Sequence, residues 1–401
     1  MIDLNINQIN TIVNAIVSEA VGRETTVSLI NDKDLVSVGT TLLKQGYDKT
    51  INSIAQVLTR TLFNERPYTG KLLPIRRGTD EWGNHIRKVQ QGINEAKPDG
   101  LYTSDDWEDS NMFKVAPDKV LQTNWYGQTA YMFEKKFWRN QLNTAFSSSA
   151  EFARFIGDVY TAINSDITQS EEGLYRTTLA NFLAYLIGAP EAQGSCINLL
   201  AEYNTKTGAS LTTETVYDKA NYPDFVRFAH AKIKSVSNFM TNRTEMYHQT
   251  FNHPDTNAPF ITRKHTPKSD QMVFLLASDR YNYEARVFAE TYHDNYLNAG
   301  NFELVDYWQN VRDPEHINVT PARLNADGTE NNTAIEGLDE IHIVGAIVDR
   351  EAVGVSEVDR WTASSPMEAK RGFVNTFWHF NNRQWNDFGE NGVVFIMKDG
   401  E

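Results

Sequence analysis

The sequence predicts an α+β protein that carries one long protrusion, and three observations lead there. Beyond residue 190, strand and helix patterns follow one another in no regular βαβ order, which argues against a parallel α/β sheet. Residues 67–141 form a charged, turn-rich excursion too poor in apolar side chains to build a core of its own. Directly behind it, apolar residues recur at helical spacing over residues 148–188. A protrusion without a core, set beside a long rod, describes a protein that reaches for its neighbours.

The elements justify themselves in chain order. Residues 1–20 read as an amphipathic helix through Ile6, Ile9, Val13, Ile16 and Val17; without a basic leader or a continuous apolar run they are neither signal peptide nor membrane span. The excursion is punctuated by Pro67, Gly70, Pro74, Gly78, Gly83, Gly92, Pro98, Gly100 and Pro117. Its ends read as strands: residues 85–91, where Arg87 and Lys88 separate Ile86 from Val89, and residues 123–133, where Trp125, Gly127, Thr129, Tyr131 and Phe133 alternate with their neighbours. Paired, they make a hairpin arm, and a two-stranded ribbon needs a surface to lie on. An irregular loop or lid is the competing reading. The proximal part carries Arg76, Arg77, Arg87, Lys88 and Lys97, and the distal part the acidic aromatic run Asp105-Asp106-Trp107-Glu108-Asp109.

Ser148 and Glu151 have capping-box spacing at the head of the long helix. The apolar face runs from Phe152 and Phe155 through Val159, Ile163, Ile167 and Leu174 to Phe182 and Leu186, and Gly188 and Pro190 end it. Gly173 either sits inside one rod or divides it in two. Its polar face, Glu151, Asp158, Asp166, Glu171 and Glu172 against Arg154 and Arg176, reads as a solvated acidic face, suited also to a surface that must not adsorb nucleic acid. Further on, a helix is expected over residues 225–248, strands over 272–277, 341–348, 372–380 and 392–397, and a tyrosine-rich helix over 283–296.

The chain has 401 residues, a net charge of −14 and a pI near 5.2. That length allows about two or three domains, and the acidity argues against wrapping a basic surface around nucleic acid. The lone Cys196 excludes an internal disulfide and is expected to be a small buried residue. No phosphate loop, dinucleotide fingerprint, nucleophile elbow or zinc-protease motif is present. His248, His253, Asp255 and His265 match no metal-site spacing, and Asn325-Ala326-Asp327-Gly328 reads as a plain turn rather than a calcium loop, since Arg323 and Ala334 hold the ligand positions. Tryptophans lie close to carboxylates in the run around Trp107, and Trp378 and Trp385 lie near Asp387 and Glu390. Nothing sets two of these carboxylates at a catalytic separation.

The order of parts then becomes specific. Residues 36–39 and 51–58, Met132-Phe133-Glu134-Lys135, Asn143-Thr144-Ala145-Phe146, Ile163-Asn164, Glu171-Glu172-Gly173-Leu174-Tyr175, residues 346–351 and Phe377-Trp378-His379-Phe380, continuing to Trp385, Phe388 and Val393-Val394-Phe395, carry a resemblance. Together they resemble the major capsid protein of tailed bacteriophages, the Hong Kong 97-type fold, with the nearest likeness in podoviruses of the phi 29 type.

The resemblance implies a division into an N-terminal arm and helices (1–66), an extended loop or E-loop (67–141), a peripheral domain with the spine helix (142–251), an axial domain (252–367) and return strands of the peripheral domain (368–401). It implies a non-enzymatic subunit without catalytic, metal or cofactor sites, forming hexamers and pentamers of an icosahedral shell around double-stranded DNA that it does not bind sequence-specifically. Scaffolding and portal proteins are the implied partners, no membrane is involved, and assembly in the host bacterial cytoplasm precedes residence in the virion. Arg76, Arg77, Trp82, Arg87, Lys88, Asp105, Asp106, Trp107, Glu108, Asp109 and Trp125 are the implied inter-subunit contacts of the E-loop. Relatives of this type can carry an immunoglobulin-like module after the last strand, and with the sequence ending at Glu401 its adhesive role is not expected. The family's covalent cross-link requires a Lys and an Asn that no residue here can be assigned to. Two other readings stay open: a carbohydrate-active enzyme with the loop as a lid, and an encapsulin-like nanocompartment shell.

Overall fold

The computed structural model describes residues 6–21, 32–45, 68, 70–79, 85–93, 120–145, 149–188, 194–253, 257–279 and 301–400. Two sheets lie along one helix. That helix, α4 (Ser149–Gly188), has 40 residues without interruption, a rod of about 60 Å.

The first sheet has the order β1-β13-β14-β4, formed by β1 (Arg76–Thr79), β13 (Val353–Ser364), β14 (Phe373–Asn386) and β4 (Thr129–Trp138). β4 and β13 flank β14 antiparallel, and β1 adds parallel at the edge. Val374, Trp378 and Phe380 of β14 and Phe137 of β4 face inward. They pack with Ile12, Val13, Ile16 and Val17 of α1 (Ile6–Val21), Leu42 of α2 (Asp32–Gln45), and Phe152, Val159, Ile163 and Ile167 of the first half of α4.

The second sheet has the order β5-β15-β12-β8-β9, from β5 (Cys196–Asn198), β15 (Gly392–Met397), β12 (His342–Asp349), β8 (Gln271–Leu276) and β9 (Asn301–Val305). Both of its faces are covered. Phe274, Leu276, Ile343, Val348 and Val394 meet Leu179, Phe182, Leu183 and Leu186 of the second half of α4. Val273, Leu275, Ile347, Val393 and Phe395 meet α5 (Leu199–Thr207) and α6 (Tyr222–Phe239). Such double coverage explains why β8 and β15 read as unbroken apolar runs rather than alternations.

Several expectations meet the structure with a difference. Gly173 does not break α4: packing on a sheet at each end outweighs its intrinsic cost of about 1 kcal/mol, and a Cβ there would find open space. The Ser148 cap and the tyrosine-rich helix over 283–296 lie outside the described residues. α6 ends at Phe239 rather than near 248, because Tyr247 adopts φ +73° and His248 is drawn into a buried site. There its ring nitrogens bond Asn391 Oδ1 (3.1 Å) and the Thr262 carbonyl (3.1 Å). The expected strand over 123–133 is divided at residues 126–128, so that Trp125 ends one strand while β4 joins the first sheet. β13 escapes sequence pattern because a register shift between Glu357 and Asp359 interrupts its alternation. β14 extends to Asn386, beyond the expected end at residue 380, since Asn381 to Asn386 continue its pairing with β13. As the Asp-Gly pattern predicts, Asn325 to Thr329 closes a tight turn with Gly328 at φ +82°, joining β10 (Arg323–Leu324) to β11 (Glu330–Asn331). Cys196 is exposed at the sheet edge rather than buried. Among the described residues no helix is long and apolar enough to cross a membrane.

Two glycines on this framework give opposite expectations. A Cβ on Gly392 would lie 2.6 Å from Phe182 Cε1, so Gly392→Ala lowers stability by about 1–3 kcal/mol, whereas Gly173→Ala raises it by about 0.5–1 kcal/mol. Thermal and denaturant unfolding of the two variants check both signs.

Candidate functional site

The arm begins as an antiparallel ribbon of β2 (Ile86–Gln91) and β3 (Val120–Trp125), with Ile86 opposite Trp125 and Gln91 opposite Val120. Among the described residues nothing covers its outer face, where Val89 is 58% exposed and Val120 43%. It is fastened at its root. The Lys88 ammonium donates to the Asp387 and Glu390 carboxylates, Lys264 reaches Glu390 at 2.7 Å, and the Trp125 indole donates to the Asn386 carbonyl at 3.1 Å. Burial alone would depress the Lys88 pKa, yet the two facing carboxylates hold it above the usual lysine value. Burial raises Asp387 in spite of Lys88. For Glu390 the same desolvation is overcome by Lys88 and Lys264, which hold it below the usual carboxylate range.

Arg77 donates to the carbonyls of Pro74 (2.8 Å) and Val353 (2.9 Å), with burial bringing its pKa down to about 10. Arg76 lies 3.9 Å from Glu357. Thus Arg76, Arg77, Lys88 and Trp125, expected as contacts to other subunits, are engaged within their own chain, because the root of the arm lies against β13 and the turn after β14. Arg87 remains exposed. Trp82, Asp105, Asp106, Trp107, Glu108 and Asp109 lie outside the described residues.

The acidic face of α4 is also corrected in part. Asp166 is exposed, and the side chains of Glu151 and Asp158 lie outside those described. Glu172 is 4% exposed and accepts from the Tyr68 hydroxyl (2.7 Å), the Lys71 amide (3.1 Å) and Arg176 Nε (2.8 Å). Burial would raise its pKa, but these donors, led by Tyr68, hold it low. Glu171 pairs with Arg360 at 3.1 Å, and burial leaves its pKa raised. Glu172 is buried under Tyr68 and Lys71, and Glu171 is half-buried against Arg360 of β13.

A third polar cluster sits at the end of the second sheet. His342 contacts Asp279 (2.8 Å) through Nε2 and Glu315 (3.1 Å) through Nδ1. Burial opposes its charge, but the two carboxylates lift its pKa to about 9.

The outward face of the first sheet is unexpectedly aromatic. β4 alternates inward Tyr131, Phe133 and Phe137 with outward Met132, Glu134, Lys136 and Trp138. Trp361 of β13 stacks on His379 of β14 at 3.8 Å and 10°, and Met132 lies opposite His379. Trp138 packs beside Phe373 at 5.2 Å. The readable signal for this face was the period of two in residues 129–138 with large apolar groups on both sides. Of the tryptophan–carboxylate groupings, the C-terminal one lies among the described residues, and its members are otherwise engaged. Asp387 and Glu390 are tied to lysines and Trp378 belongs to the core. Among the described residues no group of His, Cys, Asp and Glu could hold a metal ion.

A helix that carries two sheets, with a ribbon leaving one of them, is the Hong Kong 97-type fold of phage capsid proteins. A chain of the capsid of Staphylococcus phage Andhra is 10% identical and superposes with a TM-score of 0.51, covering 84% of this chain and 86% of that one. A chain from the structure of the head fiber and inner core protein gp22 of native bacteriophage P68 is 11% identical with a TM-score of 0.51, covering 85% and 87%. At such identity the likeness is one of fold. Comparison with curated protein sequences returns no match. The family model of the Phi29-like phage major capsid protein matches residues 13–396, and the chain belongs to that family. It is the major capsid protein of a tailed-phage head shell, a structural protein of the virion assembled from many copies and not an enzyme.

Lys88→Ala leaves buried carboxylates short of a cation and costs about 3 kcal/mol or more of stability. Adding Asp387→Asn recovers part of it, because Lys264 still serves Glu390; a double-mutant cycle of unfolding free energies measures the coupling. For His342 the folded pKa is raised, so its contribution is full below the unfolded value near 6.5 and is lost as pH rises through about 9. The loss amounts to roughly 3 kcal/mol at most. Melting temperature therefore falls between pH 6.5 and 9.5, and His342→Gln flattens that slope.

Proposed function

We propose that the β2–β3 arm is the inter-subunit element of the shell, lying across the neighbouring copy within hexamers and pentamers. The exposure of Val89 and Val120 on a two-stranded ribbon carries this reading, since such a ribbon gains stability only against another surface. Arg87 and Trp82, with the distal residues Asp105, Asp106, Trp107, Glu108 and Asp109, are the side chains offered to the neighbour. Lys88, Trp125, Arg76 and Arg77 set the angle at which the arm leaves. In place of the bounds the resemblance implies, 142–251 with 368–401 for the peripheral domain and 252–367 for the axial one, the two sheets divide the parts: the peripheral domain is the first sheet with α1, α2 and the first half of α4, and the axial domain is the second sheet with α5 and α6. The shell is built in the host cytoplasm with a scaffolding protein and a portal, and encloses double-stranded DNA. A net charge of −14 suits a wall that contains the genome without adsorbing it.

The experiment is a deletion that spares the root. Removing residues 94–118 behind a short linker keeps Lys88 on its carboxylates, whereas a cut from residue 80 would strip them. The shortened chain is expected to keep the wild-type circular dichroism and melting temperature and to form no closed shells by sedimentation and electron microscopy. Intact shells would contradict the proposal. Nuclease-protected DNA in wild-type particles checks the enclosed genome.

A further inference from the structure

The far end of the first sheet's outward face carries a feature that the chain's overall charge does not predict. Here Trp138, 43% exposed, lies against Phe373, and the Lys136 ammonium stands 5.9 Å from the Phe373 ring centroid. The turn leading into β14 is closed by the Gly372 amide on the Glu368 carbonyl (2.7 Å) and the Glu368 amide on the Phe373 carbonyl (2.9 Å). Gly372 sits at φ +68°, a conformation glycine adopts without strain. That turn presents Lys370 and Arg371 at the surface, and the Arg139 amide donates to the Gly372 carbonyl at 3.0 Å, which brings a further cation to the same edge. The facing carboxylates are Glu134, 3.7 Å from Lys136 in an exposed pair, and Glu368. Cations outnumber them in a chain whose net charge is −14.

We propose that this basic aromatic corner is the acceptor for the acidic aromatic run Asp105-Asp106-Trp107-Glu108-Asp109 of a neighbouring copy. The inference rests on the reading of the arm as the inter-subunit element and names the surface it meets. The two sequences match in kind. Four carboxylates flank one tryptophan in the run, and Lys136, Lys370 and Arg371 lie around the exposed Trp138 and the half-buried Phe373 at the corner. The Trp107 ring adds to the exposed Trp138 and the half-buried Phe373 as an anchor, while the opposite charges set register and speed encounter more than they add affinity. Every copy carries both surfaces, so the contact is heterologous and propagates around a ring, as a closed shell demands. The other aromatic stretch of this face, Trp361, His379 and Met132, has Asp359 beside it and repels an acidic partner.

A charge swap in the full chain tests this under conditions where the wild type closes shells. Lys370→Glu with Arg371→Glu, at exposed positions, is expected to lower shell yield about tenfold at low salt, the ~1.4 kcal/mol expected of a few screened pairs. Asp105→Lys with Asp106→Lys does the same, and the two pairs together restore yield to within about twofold, melting temperatures staying at the wild-type value throughout. Failure of the combined chain to recover, or full yield from the corner variant while the 94–118 deletion still abolishes shells, overturns the acceptor and leaves the arm reading standing. Closed shells from the deletion overturn both. A corner variant that assembles normally but loses affinity for short duplex DNA overturns the inference too, by assigning the corner to nucleic acid.

Discussion

Because α4 is a single rod buried in two different cores, it fixes the relation between the two sheets. Phe152, Val159, Ile163 and Ile167 belong to one core and Tyr175, Leu179, Phe182 and Leu186 to the other. Neither sheet can tilt without dragging the helix out of the opposite core, and a cost of about 1.5–3 kcal/mol per exposed large side chain makes that prohibitive. The passage from β14 to β15 lies where the two units meet. It is held by a buried polar set in which Asn391 bonds Thr266 (3.1 Å), Thr266 bonds Asp349 (2.6 Å) and the Gly392 amide bonds the Tyr247 carbonyl (2.8 Å). Fully paired networks of this kind specify one geometry at little net energy.

The arm is anchored to that same passage. Asp387 and Glu390, which hold Lys88, sit in the turn that leaves the first sheet for the second, so the direction of the ribbon is referenced to this buried, hydrogen-bonded passage. A shell subunit needs this division of labour. The body must keep one shape in every copy, while the element that meets the neighbour must have little internal stability to lose when it adapts. On the proposed role of the arm, an exposed two-stranded ribbon on a charged root provides that.

Much of this was legible in residues whose environment is local. The period of α4, the amphipathic α1, the Asp-Gly turn and the apolar strands β8, β12 and β15 follow from side-chain spacing, and so does the pairing of β2 with β3. What escaped depends on partners distant in sequence. Nothing near Lys88 announces Asp387 and Glu390, and nothing near Glu172 announces Tyr68, so the one read as a rim contact and the other as a solvated charge. β13 was hidden by its register shift, and the far half of β14 by polar residues whose backbone pairing alone makes them a strand. The end of α6 was set by burial of Tyr247 and His248 rather than by any helix-stop signal.

The most direct measurement is hydrogen–deuterium exchange of the β2 and β3 amides in free subunits and in closed shells. Assembly-dependent protection of residues 86–91 and 120–125, with the sheets of the body equally protected in both states, is the result predicted for a ribbon that finds its missing surface on a neighbour. Equal exchange of the ribbon in both states would contradict it.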